Sequence, residues 1–295
     1  MNTLTKERFP WKAFIKSVMA IAVPVALQNL LTTTGSMVDT MMIAPLGETT
    51  VGAVGLCAQF TSLMFSGYWG FVGGGMLFFA QYWGAKDDDG IDRSYGITLS
   101  FMMLVAAVFA SLALFLPEWV MKVYTDKTVL QQIGVRYLRI VGFAYPLQIF
   151  SMAMSCLLRS TDRVRIPFYA AIASVLTNIF LNWLLIHGNL GFPAMGVAGA
   201  AAATVFGQFC SAMTAMVLHL KCNKEIHLSF KGFQPNGHVI GSILGVGVPS
   251  IIMASIGSVM TYSLNRILNG FTSTAVAVFG VYFKLQSFIF MPVFG

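Results

Sequence analysis

The chain is expected to fold as an all-α integral membrane protein, and three features of its sequence predict this. Of 295 residues, 57% are hydrophobic and only 10% are charged, against about 25% charged in ordinary globular domains; the mean hydropathy is +0.75. Runs of roughly 20 mainly apolar residues, the length a helix needs to cross the hydrocarbon layer, recur at 14–44, 50–83, 94–117, 129–158, 166–187, 195–220, 239–269 and 274–295. The cations are also segregated. Lys6, Arg8, Lys12 and Lys16 precede the first run; Lys86 and Arg93 follow the second; Arg159, Arg163 and Arg165 follow the fourth; Lys221, Lys224 and Lys231 follow the sixth. Those twelve lie on one side, while the opposite connections hold only Lys122 and Lys127. The positive-inside bias then sets the N-terminus in the cytoplasm of a multi-pass protein of the cell (inner) membrane. The same placement explains the net charge of +7 without nucleic acid as a partner.

The first span is too long, and followed by too many others, to be a cleaved signal peptide. Pro24 has no amide hydrogen to give the preceding turn, so the helix should bend or be bendable there, as a hinge. Of eleven acidic residues, ten lie in the N-terminal tail or in loops, and only Asp39 is inside an apolar span. An ionised carboxylate there costs at least ~2.5 kcal/mol on the mildest insertion scale, so it should face a cavity or a partner. At helical spacing Gln28, Thr32, Gly35 and Asp39 share a narrow stripe, with Ser36 beside it, and lipid would reject such a stripe. Asp39 stands eight residues before Gly47, or ~12 Å along a helix, in the half of the membrane away from the basic loops. Two readings stay open: a carrier of a proton or metal cation, or an architectural acid paired with Arg139 or capping a broken helix.

The second span contains Gly73, Gly74 and Gly75 without the GxGxxG spacing, which argues against a phosphate cradle. DDDG at 87–90 lacks the glycine position and closing Glu of a calcium loop, and reads as a solvated turn and helix cap. The fifth span carries Ser174, Asn178 and Asn182 at i, i+4, i+8 on one face. Amides there serve equally well as interhelical glue or as carbonyl ligands that, with Asp39, coordinate Na⁺ or hold a proton. In the sixth span, Gly196, Gly199, Ala200 to Ala203 and Gly207 should let helices approach closely.

Cys57, Cys156, Cys210 and Cys222 form no CxxC pair and have no His at ligand spacing, so they read as apolar packing residues. Eighteen Met and twenty-five Phe suit an adaptable binding surface or simple core and lipid-facing bulk. No Ser/His/Asp set, HExxH motif or paired intramembrane acids occur, so nothing supports an enzyme.

Sliding the chain against itself by 225 residues aligns 22–31 with 247–256 and 46–55 with 271–280, placing Pro24 on Pro249 and Gly55 on Gly280. Parallel repeats of this kind characterise several secondary transporters. The expected organisation is a six-helix N-terminal bundle at 1–221, a cytoplasmic linker at 222–237 and the first two helices of a second bundle at 238–295. A second unit of equal size needs about four more helices, which leads us to expect a fragment of a twelve-helix protein.

Pro24, Gln28 and Asp39 in the first span, LG at 46–47 and AQYWGAKD at 80–87 occur in an order that resembles the multidrug and toxic compound extrusion (MATE) family of secondary transporters. YLRI at 137–140 with Pro146, NIFLNWLLIHGNLGFPAMGVAGAAAAT at 178–204 and FIFMPVFG at 288–295 resemble its fourth to sixth and eighth helices. The resemblance implies two six-helix bundles around a central cavity, and export of organic, often cationic compounds in exchange for H⁺ or Na⁺ by alternating access. It implies that Asp39 and Asn178 match family cation-site positions, that Asn182 stands where some members carry Asp, and that Tyr137 and Thr204 match nearby polar positions. No cofactor is expected beyond the coupling ion, which Asp39 and Asn178 would hold if it is Na⁺. Small organic substrates and the lipid bilayer are the expected partners of a monomer. A lipid-linked oligosaccharide flippase of related architecture, which would need a large cationic cavity, and an integral membrane enzyme, which would need a second catalytic group near Asp39, are the alternatives.

Overall fold

The computed structural model describes residues 11–222 and 237–269. Those residues form nine helices: α1 (Trp11–Ile43), α2 (Glu48–Ala85), α3 (Asp88–Phe115), α4 (Pro117–Tyr124), α5 (Thr128–Val141), α6 (Ala144–Ser160), α7 (Arg165–His187), α8 (Val197–Cys222) and α9 (Gly237–Asn269). Two 3₁₀ turns, Ala44–Leu46 and Asn189–Gly191, complete the described secondary structure. Residues 223–236 of the expected linker, the eighth span at 274–295, the 271–280 arm of the repeat and the 288–295 motif lie outside the described residues, while Cys222 ends α8 and Gly237 begins α9. Five helices are long and apolar enough to cross a membrane, and α5 with α6 make a sixth crossing bent by 52°.

That bend corrects the expectation of one continuous span over 129–158. Pro146 is the third residue of α6; it has no N–H for the Gly142 carbonyl four residues back, and its ring crowds that carbonyl. The helix therefore breaks at Gly142 and Phe143. Gly142 also lets α3 into the elbow, because a Cβ there would lie 3.0 Å from Leu114 Cδ2. Pro24 behaves differently: α1 runs through it without a break. Pro249 sits inside the equally continuous α9.

The short helix α4 was not anticipated. It begins with Pro117 at its first position, where a missing N–H costs nothing, and turns Val120 and Met121 inward. DDDG acts as a cap: Asp87 Oδ1 accepts from Gly90 N at 3.0 Å, and Asp88 and Asp89 occupy the positive end of α3.

The core runs through α2, α3, α5 and α6, with Met64, Tyr68, Phe79, Met102, Leu138 and Tyr145 fully buried. Phe60 packs on Phe109 and Tyr145 there, and Thr61 and Tyr145 share a hydrogen bond of 3.2 Å. α7 and α8 are held close by glycine. A Cβ on Gly199 would stand 2.6 Å from the Leu185 carbonyl oxygen, and one on Gly207 would stand 3.1 Å from that of Ser174. On the other flank, Gly70 and Gly74 of α2 meet Gly247 and Ile243 of α9.

Candidate functional site

Helix α1 meets α7 along the edge of its polar stripe. Gly35 is buried, and a Cβ there would touch Val175 Cγ2 at 3.0 Å, so the two backbones close together one turn before Asp39. Asp39 is thereby brought against the amide row of α7. Asn182 Nδ2 donates to Asp39 Oδ1 at 2.6 Å and to Asn178 Oδ1 at 3.1 Å. Asn182 is fully buried, and its own Oδ1 has no hydrogen-bond partner. A buried carbonyl left this way carries an unmet demand for a donor or a cation.

Two further helices close around the acid. Tyr137 of α5 is buried, and Thr204 of α8 and Asp39 lie near it. Thr204 Oγ1 also bonds back to the Ala200 carbonyl at 3.0 Å. Gly207, three residues on, brings α8 to within contact of Asn178, since a Cβ there would lie 3.2 Å from Asn178 Cβ. The small residues of the sixth span thus position the amide row as well as pack the bundle. Asp39, Tyr137, Asn178, Asn182 and Thr204 form one polar group assembled from α1, α5, α7 and α8.

The rest of the α1 stripe is divided. Gln28 belongs to a separate contact, accepting at Oε1 a hydrogen bond of 2.8 Å from Arg159 Nη2. Thr32 and Ser36 lie on the exposed side, and their hydroxyls return to their own helix, to the carbonyls of Gln28 at 2.8 Å and Thr33 at 2.9 Å. The reason is angular: Gly35 marks one edge of the stripe and Ser36 the other, so a neighbour that covers Gly35 leaves Ser36 open.

Two arginines changed places relative to the sequence reading. Arg139 is not the partner of Asp39; its Nη2 pairs with Glu118 Oε1 at 3.6 Å, with side chains 57% and 71% exposed. Arg159, read as a loop cation, ends α6 half-buried on Gln28, with its Nε buried and unpartnered. Its place at the end of an apolar span was the only signal the sequence offered.

Among the described residues no cluster of three or more His, Cys, Asp or Glu forms. The donors around Asp39 are carboxylate, amide and hydroxyl oxygens, a set suited to a hard cation or a proton.

A multi-pass α-helical membrane bundle with an acid bonded to an amide between its helices is the class this architecture defines. The chain belongs to the MatE family, whose model matches residues 24–184. It is 28% identical over 282 residues to the probable multidrug resistance protein YoeA of Bacillus subtilis, covering 94% of this chain and 61% of that protein. It is 24% identical over 289 residues to the multidrug export protein MepA of Staphylococcus saprophyticus, covering 97% of this chain and 63% of that one. Its fold matches the outward-facing conformation of a multidrug resistance MATE family transporter with a TM-score of 0.84 at 21% identity, over 95% of this chain and 61% of that structure. The chain therefore spans about three-fifths of the length of these relatives.

Proposed function

We propose that the protein is a cation-coupled exporter of organic, often cationic drugs or metabolites, working by alternating access with Asp39 as its coupling group. The observation that carries this reading is the Asn182 to Asp39 hydrogen bond at 2.6 Å, extended to Asn178 at 3.1 Å. An intramembrane acid held by a neutral amide, with no cation paired to it among the described residues, can take up a proton or a metal ion and release it, and it interacts differently with its neighbours in each state. A ligand drives a conformational change only through such a difference between states. Where the coupling ion is Na⁺, Asp39, Asn178 Oδ1 and the unpartnered Asn182 Oδ1 supply hard oxygen ligands, with Tyr137 and Thr204 beside them. Pro24 gives α1 a point of lower bending stiffness, and the twelve cations on one side support a cytoplasmic N-terminus.

The oligosaccharide flippase reading loses support from the same geometry. It asks for a strongly cationic cavity, whereas Arg139 is exposed on Glu118, and Arg136 is the one cation lining a pocket of about 330 Å³ that it shares with Leu46, Thr50 and Met195. Arg266 and Lys284, which also bear on it, lie outside the described side chains.

The test is transport of a fluorescent organic cation in proteoliposomes, with a pH gradient or a Na⁺ gradient imposed separately. Movement driven by one gradient and abolished by collapsing it is the expected result. Equal movement with neither gradient present overturns coupled transport.

A further inference from the structure

We propose that α4 is an interfacial anchor, its outer face bedded in the phospholipid interface on the side away from the basic loops and its inner face fixing the level of α5. Around the helix its residues fall into three adjacent sectors. Glu118 and Lys122 are exposed and polar, Trp119 and Val123 are exposed and apolar at 59% and 66%, and Val120 and Met121 are buried. A helix bathed in water does not gain from an exposed indole and valine, and a helix inside hydrocarbon does not tolerate the acid and the lysine. One lying at the boundary uses all three sectors, and tryptophan concentrates at that level because its ring is apolar with a polar edge.

Continuity with the bilayer-facing surface commits the occupant to lipid. Leu104, Val108 and Phe115 mark the exposed stripe of α3, and Phe115 and Leu116, at 79% and 53% exposure, carry it to Trp119 and Val123 across Pro117. The exposed polar residues between Val108 and Trp119 are Ser111 and Glu118. The inner face reaches the helix that bears Tyr137. Met121 fills the space beside Gly134, where a Cβ would overlap it, and Cys57 Sγ touches Met121 Sδ at 3.8 Å and the Gly134 carbonyl at 3.6 Å. Glu118 pairs with Arg139 on the same helix. Gly134 lies three residues before Tyr137, so the depth at which α4 floats sets the depth of that phenol.

This proposal rests on the multi-pass fold and not on the transport reading, and its test needs no activity. The protein is reconstituted in phosphatidylcholine vesicles, and the Trp119 emission is isolated as the difference between the native protein and Trp119→Phe. The expected component is blue-shifted, quenched more by lipid spin-labelled near the glycerol than by lipid labelled deep in the chain, and little affected by aqueous iodide. Dominant iodide quenching, dominant deep quenching, or quenching by neither, as when a second protein copy covers the ring, each overturns the proposal. In Val123→Asp, with helix content unchanged by circular dichroism, the shallow quenching should be lost; its persistence also overturns anchoring.

Discussion

Asn182 and Asp39, 143 positions apart in the chain, meet at 2.6 Å as donor and acceptor between two membrane helices. Each answers a need of the other. The buried amide obtains a carboxyl acceptor, and the acid obtains a neutral donor.

The first expectation concerns the acid itself. Asp39→Asn keeps the size and a carbonyl acceptor for Asn182, so the protein should still reach the membrane at native levels. Drug resistance conferred on a sensitive host should fall to that of the empty vector. Undiminished resistance would remove Asp39 as the coupling group.

Asn182→Ala leaves Asp39 without its donor while Asn178 loses its partner as well. Hydrogen bonds to charged groups contribute ~1.5–3 kcal/mol, or roughly ten- to a hundredfold in an equilibrium. A lower melting temperature in detergent is expected, together with weaker coupling-ion dependence of transport. A melting curve and an ion titration that both overlay the native ones would contradict the shared role assigned to the amide.

The glycines between α7 and α8 should differ by what a Cβ would meet. Gly199→Ala drives a methyl to 2.6 Å from the Leu185 carbonyl oxygen, a backbone atom that cannot swing aside. Overpacking of this kind costs ~1–3 kcal/mol. Gly84→Ala in α2 meets nothing within 4 Å and should be neutral or stabilising by ~0.5–1 kcal/mol. Thermal denaturation of the two variants side by side checks the ranking, and a reversed order would refute the packing argument.

The division of the α1 stripe is open to a similar comparison. Gln28→Ala removes the acceptor of Arg159, leaving a half-buried guanidinium unpaired at a cost of ~1–3 kcal/mol. Thr32→Ala removes only an exposed hydroxyl bonded to its own helix and should change stability by less than about 0.5 kcal/mol. Equal losses in the two variants would mean that the stripe faces its surroundings as one unit.

Much of the architecture could be read in advance because hydropathy and helical period are local properties. The spans predicted at 50–83, 166–187 and 195–220 became α2 (Glu48–Ala85), α7 (Arg165–His187) and α8 (Val197–Cys222), each within two residues at both ends. Asp39 stood out for the same reason: a single acid in an apolar run is anomalous whatever surrounds it. The elbow at Gly142 was harder to foresee, since Pro24 and Pro146 look alike in a string of letters. One is absorbed within a continuous helix and the other breaks its helix where Leu114 packs into the bend.

The sequence by itself determined that the chain is a helical membrane bundle, that its cations are segregated and that one acid lies within the membrane. These follow from the cost of placing polar groups in hydrocarbon, which each segment meets alone. Tertiary structure decided the partners. It gave Asp39 the amide of Asn182 and not the guanidinium of Arg139, drew Arg159 from a loop onto Gln28, exposed Thr32 and Ser36, and packed α4 alongside α5. Those outcomes depend on how closely helices approach, and that distance is set by glycines and side-chain volumes on two helices at once, a property no single segment carries.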